Sequence, residues 1–248
     1  MIPYFAFHVF YLGPVPVQVW GLCVAAGMLA AAWVAVQLAK QRGQTPAVIW
    51  DLLFWVMLGS FFFARLFHVV LYNLNFYTEF PGKILAVWDG GFSFVGGLFG
   101  AAVAGVWFLR NKNLDVWAYV DTAMFGLPVG IGIGRIGCFL IHDHPGTLTH
   151  FILGVHYPDG FVRHDLGLYE SINGFVLFLI FFVLLKRKAP VGTFTVTFLI
   201  WYGVTRFFLD FLRINDVRYF GLTPSQYLAI LLLGTGAWLW KKKLSAKN

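Results

Sequence analysis

Phe125-Gly-Leu-Pro-Val-Gly-Ile-Gly-Ile-Gly-Arg-Ile-Gly-Cys-Phe-Leu-Ile-His-Asp-His-Pro-Gly146 places one arginine, Arg135, in an apolar run crowded with glycines, and leaves that run through His142-Asp143-His144. Glycines at 126, 130, 132, 134 and 137 admit close approach of another backbone, the packing that membrane helices use. Lipid offers an arginine no partner, so Arg135 marks a functional site, and its natural ligand is an anionic lipid headgroup. The stretch reads as a spanning helix with a working end. It sets the fold class: an all-α integral membrane protein.

Composition agrees. The 248 residues are 59% hydrophobic and 12% charged, where a soluble domain carries about 25% charged residues. Seven apolar stretches, near 17–39, 50–72, 92–109, 117–141, 168–185, 193–213 and 224–240, each approach the roughly 20 residues needed to cross a bilayer. No internal repeat or linker divides them, so residues 1–248 read as a single polytopic domain. Cys23 and Cys138 both lie in apolar stretches, which implies no disulfide framework. The first twelve residues lack a basic region and a small-residue cleavage site, so the reading expects no cleavable leader.

Lysine and arginine set the orientation. Lys40, Arg42, Arg110, Lys112, Lys186, Arg187, Lys188, Lys241, Lys242, Lys243 and Lys247 fall at one set of ends, against Lys83, Arg163, Arg213 and Arg218 at the other. This asymmetry predicts seven transmembrane helices with the N-terminus extracytoplasmic and the C-terminus cytoplasmic. It also explains the net charge of +7 without nucleic acid. Two extracytoplasmic polar segments follow, 73–91 and 142–167, and the second is rich in histidine.

Three arginines lie inside the apolar stretches. At 1.5 Å per residue, Arg65, Arg135 and Arg206 sit roughly 22, 27 and 20 Å from the cytoplasmic ends of their helices, in the outer half of the core. Each either snorkels alone to the outer interface or binds a ligand. Tyr202, Arg206, Asp210 and Arg213 share one helical face, so Asp210 is placed to orient either arginine. A guanidinium fork suits phosphate oxygens, which makes a phospholipid phosphate the expected ligand of Arg135 and Arg206. Gly96 and Gly97 read as helix packing or as room for a lipid chain. Asp121 reads as interfacial, with a local cap or pair as its role. His142, Asp143 and His144 do not follow a regular zinc spacing, and neither metal nor other cofactor is expected.

At this point the chain resembles a known family, the prolipoprotein diacylglyceryl transferases. Gly13-Pro-Val-Pro-Val-Gln-Val-Trp-Gly-Leu22 is similar to the family's Gly-Pro-Leu-x-Ile-Arg-Trp-Tyr-Gly-Leu, and Ala64-Arg-Leu-Phe67 to its Ala-Arg-x-Gly-Tyr. Trp88-Asp-Gly-Gly-Phe-Ser-Phe-Val-Gly-Gly97 resembles Gly-Gly-x-Ser-x-His-Gly-Gly. Gly134-Arg-Ile-Gly-Cys-Phe139 resembles Gly-Arg-x-Gly-Asn-Phe, the core of a signature ending here at Gly146. His164 to Glu170 resembles His-Pro-x-Gln-Leu-Tyr-Glu, and Tyr202 to Arg213 resembles Tyr-Gly-x-x-Arg-Phe-x-x-Glu-x-x-Arg, with Asp210 for glutamate. The chain departs at Trp20, at Val95 (the family's histidine), at Cys138 and at Ile141-His142-Asp143, where the family has Asn-Gly-Glu.

The resemblance implies a multi-pass protein of the bacterial cytoplasmic membrane. Its activity would be to transfer diacylglycerol from phosphatidylglycerol to the cysteine thiol of a prolipoprotein signal peptide. Arg135 and Arg206 would bind the departing phosphate, with Tyr202, Asp210, Gly96, Gly97 and Gly146 lining the lipid site. Arg65, Ser93, His164, Tyr169, Glu170 and Arg213 would support it. Valine at 95 moves no proton, so His142, Asp143 or His144, with His164 behind them, is expected to take the thiol's proton. The rivals are the same lipid site with another donor or acceptor, or a phospholipid-binding membrane protein without catalysis. A retinal protein fails for want of a lysine in 224–240, and a transporter for want of repeated halves.

Overall fold

The computed structural model describes residues 1–214 and 216–244; Lys247, one of the charges used for orientation, lies outside the described residues. The chain is mostly helical. Among the described residues six helices are long and apolar enough to cross a membrane. The fold clusters into two compact units, Met1–Leu38 with the chain from Val120 onward, and Ala39–Tyr119.

The unit from Ala39 to Tyr119 is built on α2 (Pro46–Phe67) and α4 (Phe94–Asn111), joined by a π turn (His68–Tyr72), a short α3 (Leu74–Glu79) and two 3₁₀ turns (Pro81–Leu85, Val87–Asp89). Pro46 opens α2, where its missing N–H costs nothing. Ser93 caps α4 by accepting from Gly96 N at 3.2 Å. The two helices touch through glycine: a Cβ on Gly100 would lie 2.2 Å from Gly59 O, and one on Gly96 would lie 2.4 Å from Phe63 O.

The other unit holds α1 (Val19–Gln41), α5 (Val116–Ile141), α6 (Leu166–Lys186), α7 (Thr193–Leu209) with its 3₁₀ turn (Asp210–Leu212), and α8 (Pro224–Leu239), which ends in a π turn (Trp240–Leu244). Glycines of the opening stretch make one side of α5. A Cβ on Gly126 would meet Ala31 O at 2.0 Å, one on Gly130 would meet Gly27 O at 3.0 Å, and one on Gly137 would meet Cys23 Cβ at 2.8 Å. On another side of α5, Gly132 packs against Phe175 of α6. Leu38, Phe125, Leu177, Phe181, Phe194 and Phe198 form a buried core between these helices.

Asp121 caps and pairs, as expected, but with a partner on another helix: it is fully buried and accepts from Thr195 N at 2.8 Å and Thr195 Oγ1 at 3.0 Å, satisfying donors in the first turn of α7. The mostly helical fold also carries two small sheets that the sequence reading did not include. A hairpin, β1 (Val9–Leu12) and β2 (Val15–Gln18), precedes α1, and the segment 142–167 folds into an antiparallel sheet. In that sheet β5 (Val162–Asp165) lies between β3 (Pro145–Leu148) and β4 (Val155–His156). A polar chain emerging from lipid still has backbone donors and acceptors to pair, and a small sheet pairs them locally.

Candidate functional site

α5 delivers Arg135 two turns before its end, and α6 delivers Glu170 in its second turn. The two helices meet closely: a Cβ on Gly167 would lie 2.7 Å from Phe139 N. Glycine at 167 thus brings Glu170 within reach of α5. Glu170 then bridges two arginines from different helices. Its Oε2 lies 2.7 Å from Arg135 Nε, and its Oε1 accepts from Arg206 Nη1. Arg206 Nη2 also lies 3.2 Å from Asp210 Oδ1 and donates to Ser225 Oγ at 3.0 Å. Asp210 lies 3.8 Å from Arg213 Nη1 and accepts from Thr223 Oγ1, the N-cap residue of α8. Asp210 therefore faces both arginines that flank it, and Arg213 Nη1 lies nearer still to Asp216 Oδ2, at 2.9 Å.

The arginines differ in how far they are used. Arg206 is 12% exposed and engages two carboxylates and a hydroxyl, whereas Arg135 is 25% exposed and gives Glu170 only its Nε. Arg135 Nη1 faces Cys138 Sγ at 3.9 Å, and the Tyr202 phenol lies beside the same guanidinium. Arg135 thus has one carboxylate partner to the two of Arg206, and more of it is exposed.

Asp143 and His144 follow directly on this helix. His144 Nδ1 lies 2.9 Å from Asp143 O and 3.4 Å from Arg213 Nη2, while its Nε2 lies 3.7 Å from Asp143 Oδ2. With its proton on Nδ1, donated to the Asp143 carbonyl, the ring keeps its lone pair on Nε2; with the proton on Nε2, Nδ1 instead accepts from Arg213 Nη2. Burial pushes the His144 pKa below its ordinary value, with Arg135 and Arg213 adding to the shift and Asp143 and Glu170 opposing it. Cys138, Asp143 and His144 bring ligand atoms within 4.8 Å of one another. The adjacent Arg135 cation opposes a metal there and favours an anion.

His142 leaves the set of candidate bases. Its side chain is fully enclosed, with Nδ1 2.6 Å from Asp165 Oδ2, and it stacks on Tyr4 at 4.7 Å between ring centroids. His142 sits at φ +52°, in the left-handed region. His164 pairs with Tyr169, Nδ1 to Oη 2.7 Å, and burial lowers its pKa. Gly146 is a packing position, where a Cβ would lie 3.0 Å from both His164 Cβ and Leu212 O.

In the unit from Ala39 to Tyr119, Arg65 neither snorkels nor presents a free fork. It is 8% exposed and donates to the carbonyls of Lys83, Ile84, Ala86, Gly90 and Gly91. Its guanidinium also lies over Tyr77, 5.3 Å from the ring centroid. It organises the polar segment 73–91. Gly96 and Gly97 pack on Phe63, Phe67 and Ser60 of α2, which fills the room for a lipid chain on that side. Val95, at the start of α4, is exposed.

Sequence reasoning left Glu170 in a supporting role and passed over Asp165 and Ser225. The Tyr-Glu pair that ends the His164–Glu170 motif was the available signal for Glu170. A pairing across 23 residues, as between His142 and Asp165, has no local signal.

Comparison with known proteins agrees with the geometry. The family described as prolipoprotein diacylglyceryl transferase matches residues 8–241. The chain is 36% identical over 214 residues to the phosphatidylglycerol–prolipoprotein diacylglyceryl transferase of Geobacter sulfurreducens, covering 84% of this chain and 82% of that protein. It is 32% identical over 259 residues to the Brucella anthropi protein of the same name, covering 96% and 92% respectively. The Brucella canis protein of that name is 32% identical over 262 residues, covering 97% of this chain and 93% of its own.

Proposed function

The chain belongs to the prolipoprotein diacylglyceryl transferase family, and from that membership and the site above we propose that it moves diacylglycerol from phosphatidylglycerol to the cysteine thiol of a prolipoprotein. The observation that supports the reading is the Glu170 bridge, which fixes two arginines at one place, with Arg135 the more exposed of the two. We place the protein in the bacterial cytoplasmic membrane as one polytopic domain. In this reading α8 is the seventh span, the N-terminus is outside, and segments 73–91 and 142–167 are extracytoplasmic.

The acceptor thiol must become a thiolate before it attacks. His144 Nε2, backed by Asp143, takes that proton. The sulfur attacks the glycerol carbon that bears the phosphate ester oxygen, forming the C–S bond as the C–O bond breaks. The bond's electron pair leaves on the oxygen, and glycerol phosphate departs. Charge grows on the phosphate through this step, and Arg135 stabilises it there. Arg206 acts behind it, holding Glu170 and Asp210 in place. Lipid reaches the site sideways from the bilayer, and the signal peptide approaches from the same phase.

Purified protein in vesicles of phosphatidylglycerol, given a peptide bearing a lipobox cysteine, is expected to yield the thioether-linked diacylglyceryl peptide. Absence of that product overturns the transferase reading and leaves phospholipid binding. The pH profile tests the base. A lowered His144 pKa keeps the imidazole neutral to lower pH, so the acidic limb of the rate profile falls below the ordinary histidine value of 6.5. His144→Gln should remove that limb and slow transfer by about 10²-fold, within the usual range for a general base. A limb that survives in this variant assigns the proton to another group.

A further inference from the structure

We propose that Asp165 is a positioning residue: through its bond to His142 it latches the end of α5 to the start of α6 and so holds Asp143 and His144 against Arg135 and Glu170. The proposal deepens the reading of His144 as the base and rests on it.

Asp165 is fully buried and divides its two oxygens between two tasks. Oδ1 accepts from Leu168 N at 3.0 Å and caps α6, the helix that carries Glu170. Oδ2 lies 2.6 Å from His142 Nδ1 and accepts from Tyr157 Oη at 2.9 Å. His142 is the first residue after α5, the helix that carries Arg135. One carboxylate therefore joins the two helices that bring the site together. Asp143 and His144 lie between two attachments to it. Before them the His142 ring is bound to Asp165; after them Pro145 pairs with Asp165 across the sheet, and Leu166 N donates to His144 O at 3.2 Å.

The surroundings show that the ring is held rather than merely packed. Tyr4, Phe5, Phe139 and Tyr157 enclose it, with centroid separations of 4.7 to 5.6 Å. The charged and titratable groups facing it are Asp165, Tyr157 and Tyr4; those facing His144 are Asp143, Cys138, Arg135, Arg213 and Glu170. Burial and Asp165 push the Tyr157 phenol's pKa up, which keeps it a donor. His142 Nε2 is buried without a hydrogen-bond partner. An orphaned polar atom makes a buried pair a poor source of stability, and fixing a single arrangement is the use left to it.

Two substitutions cut that bond from opposite sides. His142→Phe fills the aromatic cage without a donor, and Asp165→Ser keeps a capping oxygen for α6 while falling short of the ring. Each should lower kcat at least tenfold and leave the KM for phosphatidylglycerol within twofold. The double variant should be no slower than either single one. Released from the arginines and into solvent, His144 should titrate closer to 6.5 in both, measured by NMR of ¹³C-histidine protein with His144→Gln as the assignment. His142→Asn, whose amide stands where Nδ1 stood and which tolerates positive φ, should restore both quantities. If His142→Phe does not fold, Asp165→Ser carries the test. Wild-type kcat with an unmoved His144 titration in Asp165→Ser overturns the latch. So does a loss that leaves the titration unmoved and appears equally in His142→Asn. A moved titration with unchanged kcat supports the latch and removes His144 as the base.

Discussion

Arg135→Ala should abolish diacylglyceryl transfer, lowering kcat/KM by about a thousandfold or more, while leaving the protein folded. The rate loss follows from where the charge appears. One donor removed from a developing oxyanion costs about 10²–10³ in rate, and Arg135 also contributes to holding the ground-state phosphate. The folding half follows from the ion pairs. Arg135 is a quarter exposed and touches Glu170 through Nε alone, so its removal leaves Glu170 paired with Arg206 and no buried charge uncompensated. Arg135→Lys separates charge from shape. It keeps the cation but loses the planar fork, and should fall between wild type and alanine. Product formation from a lipobox peptide, read beside the thermal unfolding midpoint, checks both halves. A tenfold effect or less for alanine would remove Arg135 from the phosphate.

Much of this site could be read from the chain because helices impose a period. Tyr202, Arg206, Asp210 and Arg213 were placed on one face by spacing alone, and the bonds among the last three follow that face. Arg135 was visible because lipid makes an isolated cation costly, so its presence in an apolar run needed a reason. Arg65 satisfied the same test and misled it. Its partners are five backbone carbonyls in a loop 18 to 26 residues away, and carbonyls leave no trace in a sequence. His142 failed for a related reason. Three polar residues in a row suggested three candidates, but His142, at positive φ, has its ring in an aromatic cage, and the His144 ring lies by the arginines.

The fold divides in the same way. Apolar length announced the six helices long enough to cross a membrane among the described residues, and the glycines of α5 announced close packing whose partner, α1, only the structure supplies. The sheet from Pro145 to Asp165 escaped the reading. Its strands are two to four residues long, too short for alternation to stand out, and they are set by pairing with one another. Asp121 was legible as a capping or pairing residue, but its partner Thr195 lies 74 residues on and leaves no local signal.

Glu170→Gln should destabilise the protein where Arg135→Ala does not, although glutamine matches glutamate in shape. Glu170 is 7% exposed and counters two arginines from separate helices. Neutralising it leaves Arg135 without its carboxylate and Arg206 with Asp210 alone. Breaking a buried pair from one side costs about 3–5 kcal/mol, because the surviving charge stays buried without compensation. Both activity and stability should therefore fall: transfer by at least about 10²-fold, with a clear drop in the unfolding midpoint, whereas Arg135→Ala loses activity alone. Glu170→Asp keeps the charge but draws it back by one methylene, so it should recover stability before it recovers rate. Removing one of the arginines together with the carboxylate supplies the sharper check. If the bridge is the reason for the instability, adding Arg135→Ala to Glu170→Gln should raise the midpoint above that of Glu170→Gln alone. Additive losses in that pair would mean that Glu170 stabilises the helices by some means other than the charge it balances.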